Sequence, residues 1–250
     1  MTALPPAFLD RPFAHRGLHG DGRPENSREA ILAAVEGGFG IEIDIQHTAD
    51  SVAVVFHDYG LERLTGQKGT VQTTSARDLD HIGLLGGPTG APTLAEALEL
   101  IQGATPLLIE IKDQDGAMGP SVGALEAAVA RDLSGYPGTV AVMSFNPHSV
   151  NAMAQLAPDI PRGIVTCAYD PADWPLVPAT RRGELAVIPD YDRVGATFIS
   201  HHVRDLTSPV VAERRAAGTP VLCWTVKSPE AADRALNIAD QITFEGYLPA

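Results

Sequence analysis

Positive charge, cysteine and long apolar runs are all scarce in this 250-residue chain, and each scarcity removes a class of function. Eighteen Lys and Arg stand against 31 Asp and Glu, a formal net charge of −13. Such a chain has no general attraction for nucleic acid or an anionic bilayer, so neither nucleic-acid binding nor stable membrane association is expected. The only two cysteines, Cys167 and Cys223, sit in apolar runs. Two thiols cannot build a disulfide framework or a four-cysteine zinc site, and they read as reduced core residues in a cytoplasmic protein. No run of eighteen apolar residues occurs, and the first eleven residues lack a basic stretch leading into an apolar one. Neither a membrane span nor a secretory signal is predicted. Glycine-rich phosphate loops are missing too: His15-Arg16-Gly17 follows the first predicted strand, with no G-x-G-x-x-G and no Walker lysine loop.

What remains is a chain with 44% hydrophobic residues, long enough to bury a sizeable core, read as one domain over residues 1–250. Gly and Pro punctuate it singly, leaving no linker, short repeat or low-complexity block. Short apolar runs at 13–15, 40–45, 106–112, 139–144, 161–166, 196–199, 220–225 and 239–244 predict eight strands. Helical spacing fills 27–36, 94–101, 122–133, 149–156, 208–217 and 229–236, with Ser27, Thr93 and Ser228 as N-caps. Pro171, Pro175 and Pro178 make the stretch after the fifth strand read mostly as loop. Strand–helix alternation on this scale predicts parallel strands with right-handed crossovers. Without a phosphate loop after the first strand, a closed (β/α)8 TIM-type barrel is expected over an open doubly wound sheet.

Chemistry in such a barrel gathers at the carboxyl ends of the strands. The first strand ends in Ala14-His15-Arg16-Gly17, the second contains Glu42 and Asp44, and the third contains Glu110 and Lys112. A further run, 52–56, ends in His57-Asp58. Residues two apart on a strand share a face, so Glu42 and Asp44 point together while Ile41, Ile43 and Ile45 point the other way. If those faces point into the barrel and not to solvent, three carboxylates and a lysine share one confined space, and the carboxylates call for a cation. Oxygen donors select a hard divalent ion, Mg²⁺, Ca²⁺ or Mn²⁺, and leave the choice among them open. His15 and His57 are the natural acid–base material near neutral pH. Arg16 and Lys112 beside a metal suggest an anionic substrate such as a phosphate; ordinary salt bridging to Glu42 or Glu110 is the alternative.

These residues and their neighbours resemble one family. Ala14-His15-Arg16-Gly17, Pro24-Glu25-Asn26-Ser27, Ile41-Glu42-Ile43-Asp44 with Thr48 and Asp50, and the 54–58 run with Leu61, Arg63 and Thr65 occur in the order and spacing of the glycerophosphodiester phosphodiesterases. Pro92-Thr93-Leu94, Ile109-Glu110-Ile111-Lys112, Ser144-Phe145-Asn146-Pro147 and Trp224-Thr225-Val226 continue the resemblance over nearly the whole chain. It implies a TIM-type barrel hydrolysing a glycerophosphodiester to glycerol 3-phosphate and an alcohol with a divalent metal, in lipid and glycerol metabolism. Carried over, Glu42, Asp44 and Glu110 would hold the ion, and His15 and His57 would be base and acid. Arg16 and Lys112 would grip phosphoryl oxygens; Glu25, Asn26 and Trp224 would lie around the substrate. Two positions depart from the pattern, bearing on substrate selection: Lys227 stands where Asn is usual, and Phe244 where Asp is usual. Lys227 could reach a second anionic group or be a surface lysine.

The 58–92 segment carries no Trp or Phe, only Tyr59, and several charges, including Asp78, Asp80, Arg63 and Lys68. It reads as a short polar cap and favours a small soluble diester over a bilayer lipid. The pair Leu84-Leu85 is its one apolar feature, either a tip that dips into lipid or an anchor for the loop. A lysophospholipase D-type barrel and a catalytically inactive metal-binding barrel are the competing readings. Leaving alcohol and oligomeric state are not legible in the sequence.

Overall fold

The second strand sets the frame. In a computed structural model describing residues 2–249, the chain forms two compact units. The first comprises Phe13–Lys112 with Gly123–Val140. Here β1 (Phe13–Ala14) is followed by α1 (Arg28–Glu36) and β2 (Gly40–His47), and β1 pairs parallel with β2, Phe13 opposite Gly40. A Cβ on Gly40 would lie 2.7 Å from the Phe13 ring, so only glycine lets the strands close there. Ser27 caps α1 as expected, its Oγ accepting the Ala30 N–H at 3.1 Å. Residues 40–46 of β2 are buried on both faces, as parallel strands under helices require.

The 52–56 run is not a ninth parallel strand. It forms β3 (Ala53–Val55), which turns back antiparallel onto β2 with Val55 opposite Ile45. Periodicity reports a strand's faces and is blind to its direction. After it come α2 (Glu62–Thr65), α3 (Ala76–His81) and α4 (Leu94–Ile101), the last opened by a capping box between Thr93 and Glu96. Then β4 (Leu107–Ile111) pairs parallel with β2, placing Glu110 opposite Asp44, and α5 (Ala124–Leu133) follows. The polar segment between β3 and α4 has an apolar centre of its own, in which Leu61, Leu64, Val71, Leu79 and Leu84 pack on Phe56. The Leu84-Leu85 pair divides: Leu84 is 4% exposed and anchors the segment, whereas Leu85 is 60% exposed.

Among the described residues the second unit comprises 2–12, Asp113–Val122 and 141–249. It contains all but the first residue of β5 (Val140–Ser144), then α6 (Pro147–Leu156), β6 (Arg162–Thr166), α7 (Ala179–Ala186), β7 (Phe198–His202), α8 (Pro209–Ala216), β8 (Val221–Val226), α9 (Pro229–Ala235) and β9 (Gln241–Phe244). Each strand from β5 to β9 pairs parallel with the next. The proline-rich stretch after β6 is loop only as far as Pro178, which stands immediately before α7. A proline that cannot continue a helix is well placed to begin one. Eight parallel strands taken in chain order, each joined to the next through helix, constitute the (β/α)8 TIM-barrel class, with β3 as an antiparallel addition.

Candidate active site

Of the residues expected to act in catalysis, substrate binding or metal binding, all but Trp224 belong to the first unit. Its β1 runs out into a tight turn in which Arg16 has φ of 55° and Gly17 of 74°. A Cβ on Gly17 would come within 2.8 Å of the Ala30 backbone, so glycine is needed for space as well as for conformation. The turn aims two amides at β2: the Arg16 N–H donates to Glu42 Oε2 at 2.9 Å, and the Gly17 N–H to the Glu42 carbonyl at 3.1 Å. Asn26, also left-handed at φ 59°, donates its backbone N–H to the Arg16 carbonyl. Its side-chain amide donates to Asp44 Oδ2 at 2.9 Å while its Oδ1 accepts the Asp44 N–H at 3.3 Å. Glu42 and Asp44 are thus held from the loops before α1, through main chain in one case and side chain in the other.

Carboxylate oxygens of Glu42, Asp44 and Glu110 lie within 4.8 Å of one another, and all three residues are buried. Two cations face them. Lys112 Nζ is 2.6 Å from Glu110 Oε1 and 3.1 Å from Asp44 Oδ1. Arg16 Nε is 3.2 Å from Asp44 Oδ2, close enough for an ion pair, but its N–H is not aligned to donate a hydrogen bond. The charges do not balance evenly. Burial, then the charges of Asp44 and Glu110, push the Glu42 carboxyl well above the usual carboxylate range. Burial works the same way on Asp44, yet Lys112, His57, Arg16 and His15 outweigh it and hold that carboxyl far below the range. A buried carboxylate raised by like charges, in a set with only oxygen donors, fits a hard divalent cation. Glu42, Asp44 and Glu110 would hold it.

The histidines lie at the ends of two strands. His15, partly exposed, directly follows β1, and its charge is among those that lower Asp44. His57 follows the β3 run, and its carbonyl accepts from Gln46 Nε2 at 3.0 Å. Its Nδ1 lies 2.7 Å from Asp58 Oδ1. A carboxylate at Nδ1 keeps the ring proton on that nitrogen and leaves Nε2 for chemistry. Asp58 is gripped by Arg63 through Nε at 2.6 Å and Nη2 at 2.9 Å. The same guanidinium reaches Glu25 through Nη1 and Nη2, each at 2.8 Å, and Glu25 Oε1 in turn accepts from Arg16 Nη1 at 2.6 Å. Burial opposes the ionised form of Glu25, but hydrogen bonds and charge from Arg63 and Arg16 bring its carboxyl below the usual range. Sequence reasoning placed Arg63 in the family pattern without giving it a role. Its place in the family pattern was the available signal, and nothing in its spacing pointed to Glu25.

Trp224 lies on β8 of the second unit, where its Nε1 donates to the Ser200 carbonyl at 3.0 Å. Its ring stands edge-on to Phe145 and His202, and Phe145 also packs on Tyr169 and Trp174. Lys227 pairs with Glu245 at 3.0 Å and is largely exposed, and Phe244 is buried against Tyr247. Both cysteines are free and buried, burial pushing the Cys167 thiol up to about 11 and the Cys223 thiol up to about 12. Among the described residues no helix is long and apolar enough to cross a membrane.

A model of the glycerophosphoryl diester phosphodiesterase family matches residues 15–240. A glycerophosphodiester phosphodiesterase from Bacillus altitudinis is 32% identical over 163 residues, which cover 62% of this chain and 65% of that protein. The match thus spans a little under two thirds of that relative's length. Among solved structures, a phosphodiesterase from Oleispira antarctica in complex with the product sn-glycerol-3-phosphate has 25% identity and a TM-score of 0.76, covering 95% of this chain and 94% of that one. A glycerophosphodiester phosphodiesterase from Parabacteroides distasonis shares the fold at 23% identity, with a TM-score of 0.75 and coverage of 94% and 92%. Matched from the end of its first strand to the approach to its last, and alike in fold to these structures, the chain belongs to the glycerophosphoryl diester phosphodiesterase family.

Proposed function

We propose that residues 1–250 act as one metal-dependent glycerophosphodiester phosphodiesterase domain, cleaving a small soluble diester to glycerol 3-phosphate and an alcohol. The observation that carries this reading is the buried acidic trio with Arg16 and Lys112 in direct contact with it. A divalent ion held there, Mg²⁺, Ca²⁺ or Mn²⁺, would polarise a phosphoryl oxygen and offset the charge that builds on it. Arg16 and Lys112 are the groups that bind and orient the remaining phosphoryl oxygens, since both present cationic N–H donors at the edge of the cluster. His15 takes the proton of the attacking hydroxyl. His57 delivers a proton to the leaving alkoxide from Nε2, and Asp58 on its far nitrogen compensates the positive charge the ring carries beforehand. Overall, a water molecule adds across one P–O bond, and the alcohol leaves protonated. For Trp224 the reading keeps the role that the resemblance implies, a contact with the substrate, where an aromatic ring favours the alcohol's apolar parts. Two free, buried thiols suit a reducing, cytoplasmic setting.

The polar 58–92 segment supports a soluble diester, because most of its apolar residues are consumed by its own core and only Tyr59 and Leu85 stand out from it as large exposed apolar side chains. The test is turnover of glycerophosphocholine, glycerophosphoethanolamine and glycerophosphoinositol against lysophosphatidylcholine below its micellar concentration, with each divalent ion and with excess chelator. Chelation should abolish turnover, and kcat/KM should favour the soluble diesters. Full activity of stripped protein in chelator would remove the metal. A clear preference for the lysolipid would promote the phospholipase reading.

A further inference from the structure

One guanidinium joins the two ends of the site. We propose that Arg63 is a positioning residue that holds the His57 ring and the Arg16 guanidinium in register, by gripping Asp58 with one edge and Glu25 with another. The geometry is specific to arginine. Nε and Nη2 take both oxygens of Asp58, and Nη1 and Nη2 take both oxygens of Glu25, so four of the five N–H donors are spent on two carboxylates. Each carboxylate has one further partner and no more in this relay: Asp58 holds His57 Nδ1, and Glu25 holds Arg16 Nη1. Turning Arg63 aside would release both at once.

Nothing else about Arg63 explains its place. Its side chain is 48% exposed and it lies on the four-residue α2, so it contributes little to a core. An exposed ion pair by itself is worth about 0–1 kcal/mol, too little to require so complete a fork. The relay instead does what a carboxylate behind a catalytic histidine does, which is to select one ring tautomer and one ring orientation. Here the carboxylate is itself oriented by a group that also orients the anion-binding side of the site. Asp58 and Arg63 both come from the segment after β3, whereas Glu25 and Arg16 come from the loop before α1. The relay therefore ties that segment to the strand-end loop from which the reading above takes its base and its phosphate grip. Lysine at 63 would keep the charge, but it cannot present two parallel N–H pairs to two carboxylates.

The inference rests on the proposed function for the part His57 plays, and its test has a readout that does not depend on turnover. Imidazole ¹H–¹⁵N correlation spectra of the metal-loaded protein at about pH 8, above the ordinary imidazole range, report which ring nitrogen of His57 carries the proton, with His57→Gln identifying the signal. Wild type should show a single Nδ1–H tautomer. Arg63→Met should redistribute it between the two nitrogens, and Arg63→Lys should fall between. On glycerophosphocholine, kcat should drop about 10- to 100-fold in Arg63→Met, the range for removing a group that orients a ligand or catalyst from behind. Combining Arg63→Met with Asp58→Asn should cost less than the two single losses multiplied together, because they share the His57 arm and only the Arg16 arm is left for Arg63→Met to remove. An unchanged Nδ1–H signal in Arg63→Met, with or without a loss of rate, overturns the proposal; so does a redistributed ring with wild-type kcat. Should Arg63→Met fail to fold, Arg63→Lys carries the same spectral test. If wild type turns over no glycerophosphodiester, the functional reading fails, and the ring tautomer still decides whether Arg63 positions His57.

Discussion

Lys112→Met is the perturbation whose size the structure sets most directly. The ammonium lies between Glu110 and Asp44 at 2.6 and 3.1 Å, on a side chain only 15% exposed. Burial pulls its pKa down, yet the two carboxylates more than reverse that and hold it above the usual lysine value. Methionine keeps most of the stem, so what disappears is the charge. Removing one partner of a buried pair costs about 3–5 kcal/mol, because the other partner is left buried and uncompensated. Arg16 stays beside Asp44 and both cations are partly exposed, which argues for the lower end, about 3 kcal/mol. In a chain of this length each kcal/mol moves Tm by about 2–4 °C, giving a fall of about 6–12 °C in chelator. A divalent ion in the acidic cluster competes with Lys112 for the same oxygens. Without the lysine, ion binding faces one positive charge fewer, so Tm should rise more in the variant than in wild type on adding Mg²⁺ or Ca²⁺. Calorimetry of both proteins, in chelator and across an ion titration, measures this, and kcat/KM on glycerophosphocholine should fall in the loaded variant through the lost phosphoryl contact. Equal melting in chelator, or equal gains on adding ion, would refute the placement of Lys112 as the cluster's internal counter-charge.

Three further outcomes are expected. His15→Ala and His57→Ala should each lower kcat by about 10²-fold or more with unchanged circular dichroism; near wild-type turnover in either would make that histidine structural. Gly17→Ala should destabilise the fold by more than about 1 kcal/mol in urea unfolding, since φ is positive and the new Cβ meets the Ala30 backbone at 2.8 Å. It should also weaken ion binding by moving the Arg16 amide off Glu42. Wild-type stability in that variant would contradict the tight turn. The third concerns pH. Glu25 and Asp58 resist burial through Arg63 and their other partners and titrate below the ordinary carboxylate range. Their contribution to stability is therefore complete above about pH 4.5 and is lost as pH falls through the lowered folded values. Arg63→Met removes a cause common to both, so its stability should fall less steeply than wild type between about pH 5 and 2; parallel curves in urea unfolding at each pH would count against the relay.

Much of the fold was legible because strands and helices announce themselves by period. The alternation of Ile41, Ile43 and Ile45 with Glu42 and Asp44 marked a strand with its charges turned to one side, and the burial of the charged face as well was added by the structure. Ser27 and Thr93 marked helix starts by the oxygen that each offers to the first turn. The direction of the 52–56 run was not legible, because an antiparallel partner leaves the same apolar signature as a parallel one. The extent of α7 was hidden by prolines whose effect depends on whether they fall inside a helix or at its edge. In the site, Glu42, Asp44, Glu110 and Lys112 could be paired from strand spacing alone. Arg63 could not, because a charged residue on a short helix in a polar segment looks like any solvated side chain until Glu25, distant in sequence, is brought against it.

Arg16 touches the acidic cluster in two chemically different ways, by its backbone amide on Glu42 and by its guanidinium on Asp44. The two can be separated by substitution. Any residue that accepts φ near 55° keeps the amide where it is, and asparagine and histidine are among the side chains most at ease there. The anion-gripping charge can then be deleted while the first carboxylate stays anchored. No such dissection is open at Asn26, where the side chain itself is the anchor of Asp44. Position 16 is thus a place in the cluster where scaffold and charge answer to separate experiments.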